Sequence, residues 1–204
     1  MADSIYKYIQ SLPDKRVAKI FDTIFRRFLP AATEFTNTSL VDLGAITSTA
    51  AEINRATDLS ARIVTLIATG AITEAAHESR TLLMTVAGAA STYTLPAATG
   101  SGARYRFVVG EVNTSNYVIK SVAGADVMQG TVIGASTTDS ATDAARTWRA
   151  GTTDDTFTLN GTTTGGVDIG DWVEFEDITA TAWAVRGFIT QSGSEASPFS
   201  DTVS

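Results

Sequence analysis

Two periodicities divide this chain. Over residues 5–29 the apolar positions recur every three or four residues: Ile5, Ile9 and Leu12, then Val17, Ile20, Phe21, Ile24 and Phe28. That spacing predicts an amphipathic helix. Pro13 suits a first helical turn, and Pro30 stops the pattern after Leu29. Lys15, Lys19 and Arg26 fall off the apolar stripe. From about Arg62 the period drops to two, which predicts strands near 62–68, 81–86, 92–95, 104–109, 116–121, 126–133, 146–150, 155–160, 171–178 and 182–190. Turn chemistry separates these runs, at Ala87-Gly88-Ala89, Thr99-Gly100-Ser101-Gly102, Gly124, Asn160-Gly161 and Gly165-Gly166.

Between the two regimes, residues 31–47 have no clear period and read as an extended linker. Thr49-Ala50-Ala51-Glu52 then fits a capping box, with a short helix following to about Leu59. The expected organisation is a helical arm and linker over 1–46, a capped helix over 47–61, a β body over 62–191 and a Ser-rich, loosely held tail over 192–204. Short strands at this spacing predict a mainly β fold, an antiparallel sandwich or barrel preceded by an α-helical N-terminal arm. Phe107, Val109, Val118, Val173, Phe175 and Val185 are expected to face inward. In 171–178, Val173 and Phe175 point one way, and Trp172, Glu174 and Glu176 the other. Trp183, Val185 and Ile189 share one face of the returning strand. Residues Asp177 to Thr181 are expected to form the connecting hairpin loop.

Composition narrows the chemistry. The chain has 204 residues, 44% of them hydrophobic, enough for a packed core. It has no cysteine and one histidine, which excludes disulfides, thiolate metal sites and thiol nucleophiles. The formal charge of −7 argues against nucleic-acid binding by the whole molecule. No apolar run approaches the roughly 18 residues of a membrane span, and the N-terminus lacks the apolar core of a signal peptide. Charge is uneven along the chain. Residues 1–30 carry six basic and three acidic side chains, and the remaining residues are strongly acidic. A basic amphipathic segment has three readings: a helix packed on its own body, an anchor for another protein, or a membrane-surface helix. The anchor reading assigns partner contact to Lys15, Val17, Lys19, Ile20, Phe21, Ile24, Phe25, Arg26, Arg27 and Phe28.

No catalytic constellation stands out. His77, in Ala75-Ala76-His77-Glu78-Ser79-Arg80, reads as a surface or turn histidine, and there is no Gly-x-Ser-x-Gly elbow. Asp168, Asp171, Glu174, Glu176 and Asp177 do not match a calcium-loop spacing and read as a solvated strand face and turn. Gly100-Ser101-Gly102 has strand patterns on both sides, so it reads as a hairpin loop and not a phosphate cradle. Arg104 and Arg106 flank Tyr105 in an arrangement able to stack on a base or sugar. Trp148, Trp172 and Trp183 fit core or inter-subunit packing, with a glycan site as the other use. The expectation is no enzyme activity, no metal and no cofactor.

Two stretches resemble a known class. Ser48-Thr49-Ala50-Ala51-Glu52-Ile53-Asn54-Arg55, continuing through Asp58-Leu59-Ser60-Ala61-Arg62-Ile63-Val64, resembles the T-A-A-E-I-N segment of tailed-bacteriophage virion proteins. Residues 93–109, Tyr-Thr-Leu-Pro-Ala-Ala-Thr-Gly-Ser-Gly-Ala-Arg-Tyr-Arg-Phe-Val-Val, resemble the β module that often follows it. Asn160 to Gly166, Gly170 to Phe175 and Trp183 to Val185 look like that module's closing hairpin. The resemblance implies a non-enzymatic virion component, often a homotrimer, assembled in the bacterial cytoplasm. Within that class the expectation is a capsid decoration (cement) protein. Its partner would be the major capsid protein or another virion protein, with no nucleic acid and no membrane. The alternatives are a tail or head fibre and, from another class, a carbohydrate-binding or depolymerising module.

Overall fold

The computed structural model describes Lys19, residues 62–137 and residues 145–203. The chain divides into Met1–Asp58 and Leu59–Ser204, and the second unit holds every described residue except Lys19. Apart from Lys19, the expected arm helix, the linker and the capping box at Thr49–Glu52 lie outside the described residues.

Twelve strands form in chain order: β1 Ile63–Leu66, β2 Gly70–Ala71, β3 Thr81–Met84, β4 Ser91–Thr94, β5 Arg104–Val109, β6 Tyr117–Lys120, β7 Val127–Ser136, β8 Arg146–Arg149, β9 Thr156–Leu159, β10 Trp172–Thr179, β11 Ala182–Gln191 and β12 Phe199–Ser200. One helical turn, α1 (Glu74–His77), precedes β3. A seven-stranded sheet has the order β1-β3-β5-β10-β11-β7-β8, and a five-stranded sheet has the order β12-β9-β6-β4-β2. Together they form a sandwich-like, mainly β body.

Both sheets are mixed, which corrects the antiparallel expectation. From β1 to β6 the chain alternates between sheets, so strands successive in sequence lie in opposite layers. Strands two apart become neighbours running the same way: β1 beside β3, β3 beside β5, β2 beside β4 and β4 beside β6 are all parallel. Only later does the chain fold back locally, in the antiparallel β7–β8 and β10–β11 pairs. β11 then joins β7 in parallel over ten residue pairs, from Ala182↔Val127 to Gln191↔Ser136. The Gly100–Gly102 segment is therefore a crossing between layers and not a hairpin loop, because β4 and β5 belong to different sheets.

The strands form where period-two alternation lets one face be buried. On β5 the buried residues are Tyr105, Phe107 and Val109, and on β10 they are Val173, Phe175 and Asp177. On β11, Trp183, Val185 and Ile189 are buried as expected. Val118 is the exception. Its neighbours Tyr117 and Ile119 take the inward positions on β6, and Val118 faces out. The two layers meet through rings. Phe107 meets Phe175 edge-on at 5.8 Å, Phe157 from the facing sheet meets Phe175 at 6.1 Å, and Tyr93 packs on Phe107 at 5.9 Å. Such pairs are worth about 0.5–1.5 kcal/mol each beyond the area they bury.

The Ser-rich tail is stitched to the body. β12 pairs with β9, and Phe199 stacks edge-on against Phe157 at 5.1 Å. Buried Asp155 accepts N–H bonds from Thr202 and Val203 at 3.0 Å. Gln191 donates through Nε2 to the carbonyls of Thr163 and Ala196. The tail backbone passes so close to Gly124 that a Cβ there would collide with the Val203 carbonyl.

Candidate functional site

β10 carries five acidic or flanking acidic positions, and the fold sorts them by face. Asp177 points inward, and its carboxylate is enclosed by the loop leading into β5. It accepts three backbone N–H bonds, from Thr99, Gly100 (2.8 Å) and Ser101, and two hydroxyl bonds, from Thr99 (2.8 Å) and Ser101 (2.9 Å). Gly100 makes this wrap possible: its φ is +77°, a left-handed conformation that other residues resist. Burial pushes the Asp177 pKa upward, but the converging donors outweigh it and hold the group at about 2.

Asp171, just before β10, is also buried. It accepts from Gly166 N–H (3.1 Å), Thr190 N–H (2.7 Å) and the Thr190 hydroxyl (2.9 Å). Here burial prevails over the hydrogen bonds, and its pKa is raised. The sequence expectation of a solvated acidic face thus fails for these two residues. Both are tie-points that fix loops to strands. Asp168 is exposed.

Glu174 and Glu176 do face outward, and strand pairing supplies them with cations. Arg104 Nη2 donates to Glu176 Oε1 at 2.8 Å; Arg186 Nε donates to Glu174 Oε1 at 2.8 Å, and its Nη2 to Glu176 Oε2 at 2.5 Å. The Arg104 hydrogen bond is the main cause of the lowered Glu176 pKa. The pairs arise because β10 sits between β5 and β11, with Glu174 opposite both Arg106 and Arg186 and Glu176 opposite both Arg104 and Ala184. Each exposed pair is worth about 0.2–1 kcal/mol, so the network orders the surface more than it stabilises the fold.

One row further along, the same face turns apolar. The strand register aligns Leu83, Val108, Trp172, Phe188 and Ile133 across five adjacent strands. Trp172 and Phe188 touch at 5.6 Å, and the Arg106 guanidinium lies 4.4 Å over the Trp172 ring. Phe188 remains 54% exposed, and Ile169, just ahead of β10, is 73% exposed. This outer face is the candidate site. It carries four outward arginines (Arg104, Arg106, Arg186 and Arg149) against two glutamates, on a chain of net charge −7.

The remaining candidates resolve differently. Tyr105 is fully buried against Trp183 at 5.8 Å, so Arg104 and Arg106 do not flank an exposed ring. Trp148 is half-buried and donates Nε1–H to Gln191 Oε1 at 2.6 Å. His77 accepts the Thr73 N–H through Nδ1 at 3.0 Å on the short α1 turn. Among the described residues no group of three or more His, Asp or Glu side chains is placed to hold a metal ion. Of the partner-contact residues expected on the arm, Lys19 is described and exposed. Lys15, Val17, Ile20, Phe21, Ile24, Phe25, Arg26, Arg27 and Phe28 lie outside the described residues. The sequence signal for the sheet face was the outward alternation Trp172-Glu174-Glu176. Its partners on β5 and β11 are set by pairings that local pattern does not specify.

No protein-family model, no curated protein and no solved structure matches this chain.

Proposed function

We propose that the chain is a structural component of a tailed-bacteriophage virion, and within that class a capsid decoration protein. Residues 1–46 hold it on the capsid lattice, and the β body projects outward. The observation that carries this reading is the meeting of the two β stretches that resemble phage virion modules. The loop at Thr99–Ser101 in the first stretch encloses the carboxylate of Asp177, which continues the strand of the second. Segments separated by 76 to 78 residues thus build one clamp. The chemistry agrees with a binding role. Asp155, Asp171 and Asp177 hold loops and tail in place, and the outward charges form a flat paired network. A hydrolase needs carboxylates flanking a groove.

Quantitative mass spectrometry of purified virions from the encoding phage tests the reading. Hundreds of copies per particle are expected for decoration. A few to a few dozen would mean a fibre, and absence from the virion would overturn the proposal. A chain beginning at Thr47, added to particles lacking the protein, should fold but fail to decorate them; full occupancy would show that the body makes the contact.

A further inference from the structure

We propose that the outer face of the seven-stranded sheet binds a linear polysaccharide carrying carboxylate groups, laid across β5, β10, β11 and β7. The site stands on this face alone and does not depend on the virion reading.

A sugar ring has an apolar C–H face and a rim of hydroxyls, each able to donate and to accept. Its complement is an aromatic surface bordered by donors and acceptors together, and the sheet register places these in adjacent rows. Trp172 and Phe188 touch at 5.6 Å in the middle of the apolar row, with Phe188 54% exposed. The next row is Thr81, Arg106, Glu174, Arg186, Thr131 and Arg149. Beyond it lie Arg104, Glu176, Ala184 and Gln129. A guanidinium only donates and a carboxylate only accepts, so their alternation over β5, β10 and β11 offers both to neighbouring hydroxyls. The pairs Arg104–Glu176, Arg186–Glu174 and Arg186–Glu176 hold these planar groups in place before a ligand arrives, which lowers the ordering cost of binding.

Charge selects an acidic sugar. Arg104 and Arg186 are paired with glutamates, whereas exposed Arg106 and Arg149 form no ion pair among the described residues. Arg106 lies 4.4 Å over the Trp172 ring, so a sugar stacked beside that ring brings its carboxylate within reach of a guanidinium able to bind it through two N–H groups. Other occupants fit less well. A nucleic acid carries a phosphate at every nucleotide and meets Glu174 and Glu176 in the middle of the face. Three rows of side chains fall short of a specific protein interface. A polymer crossing the strands, which lie about 4.8 Å apart, advances close to one sugar per strand, and the apolar row, five strands wide, takes roughly four sugars. So small a contact gives a dissociation constant on the order of 0.1–1 mM for a short oligomer, tightened when many copies meet one polymer.

Affinity electrophoresis of the full chain in gels containing polygalacturonate, alginate, hyaluronan, neutral dextran or oligo-dT tests this. At least one of the three carboxylated polymers is expected to retard the wild type, with dextran roughly tenfold weaker. Phe188→Ala, at an exposed position, should weaken binding roughly three- to tenfold. Arg106→Gln should weaken it by a similar factor, roughly three- to tenfold, and narrow the gap between carboxylated and neutral polymer. Both variants should keep the far-UV circular dichroism spectrum of the wild type, and Arg106→Gln carries the test if Phe188→Ala fails to fold. Residues 1–30 carry six basic and three acidic side chains and attract polyanions by themselves. Retardation unchanged in both variants would assign binding to that segment and overturn the proposal. No retardation by any carboxylated polymer, or stronger retardation by oligo-dT, would overturn it too.

Discussion

Along β10, Asp177 turns inward and Glu174 and Glu176 turn outward, and these neighbouring carboxylates meet opposite kinds of partner. Asp177 is held by backbone N–H groups and hydroxyls that cannot leave without unfolding the Thr99–Ser101 loop. Glu174 and Glu176 are held by arginine side chains that are themselves more than half exposed. The inner carboxylate is a structural bond; the outer pair is an adjustable surface. A parallel contrast separates the outer faces of the two sheets. The five-stranded sheet shows Thr92, Thr94, Val118, Lys120 and Thr158, with Lys120 its single charge among these strand residues. Two layers sharing one core thus present a threonine-rich surface with little charge on one side and an arginine-rich aromatic surface on the other. The second gathers partly exposed rings and arginines on one face.

The inner–outer contrast is broken most directly by Asp177→Ala. Removing the acceptor strips three loop N–H groups and two hydroxyls of the charged partner they share and should cost about 3–4 kcal/mol. In thermal denaturation that is a fall of roughly 8–15 °C. If Asp177→Ala were as mild as Glu176→Ala, the difference between the two sides of β10 would collapse.

Acid sharpens the same comparison. With a folded pKa of about 2, Asp177 lies below its ordinary 3.8. Its contribution is complete above the ordinary value and is lost as pH falls through the folded one. The depression corresponds to about 2 kcal/mol, disappearing between roughly pH 4.5 and 2. Asp171 has the opposite sign: its pKa is raised, so its contribution is greatest at low pH and declines as pH rises through its folded value. Urea denaturation at pH 4.5 and pH 2.5 should show Asp177→Asn losing much of the wild type's acid sensitivity.

The outer network should matter least to stability. Glu174→Gln with Glu176→Gln is expected to cost about 1 kcal/mol or less, an effect that 0.5 M salt should shrink in the wild type by screening. Smaller still is Thr92→Ser with Thr94→Ser on the opposite sheet, at about 0.5 kcal/mol or less. A large loss of stability from either double variant would show that these faces do more for the fold than their exposure implies.

The positions of the strands were legible along the chain because each buries alternate residues, a local signature. β5, β10 and β11 fell where Tyr105-Phe107-Val109, Val173-Phe175 and Trp183-Val185 placed them, but the loop expected over Asp177–Thr181 is shorter, because β10 runs on to Thr179 and Asp177 pairs with Trp183. The shortest elements, β2 and β12, were not legible, since two residues cannot display a period. Val118 misled because it sits between Tyr117 and Ile119, in a run apolar on both faces. The tail looked loose because serine and glycine carry no burial signal, yet Asp155 and Gln191 hold its backbone.

Sequence alone determined that the body would be built of strands, where most of them would lie and which side of β10 would be buried. Those properties depend on neighbours one and two residues away, through backbone sterics and the alternation of side chains. It also excluded disulfides and thiol chemistry, since an absent cysteine cannot be supplied by folding. Only the tertiary structure decided that strands two apart would pair in parallel, that Asp177 would be enclosed by a loop some 76 to 78 residues earlier, and that Arg104, Arg106 and Arg186 would gather around Glu174 and Glu176. Those arrangements depend on how separated segments share a core. A strand's own residues specify which face is buried, but the packing of the whole body selects the strand beside it.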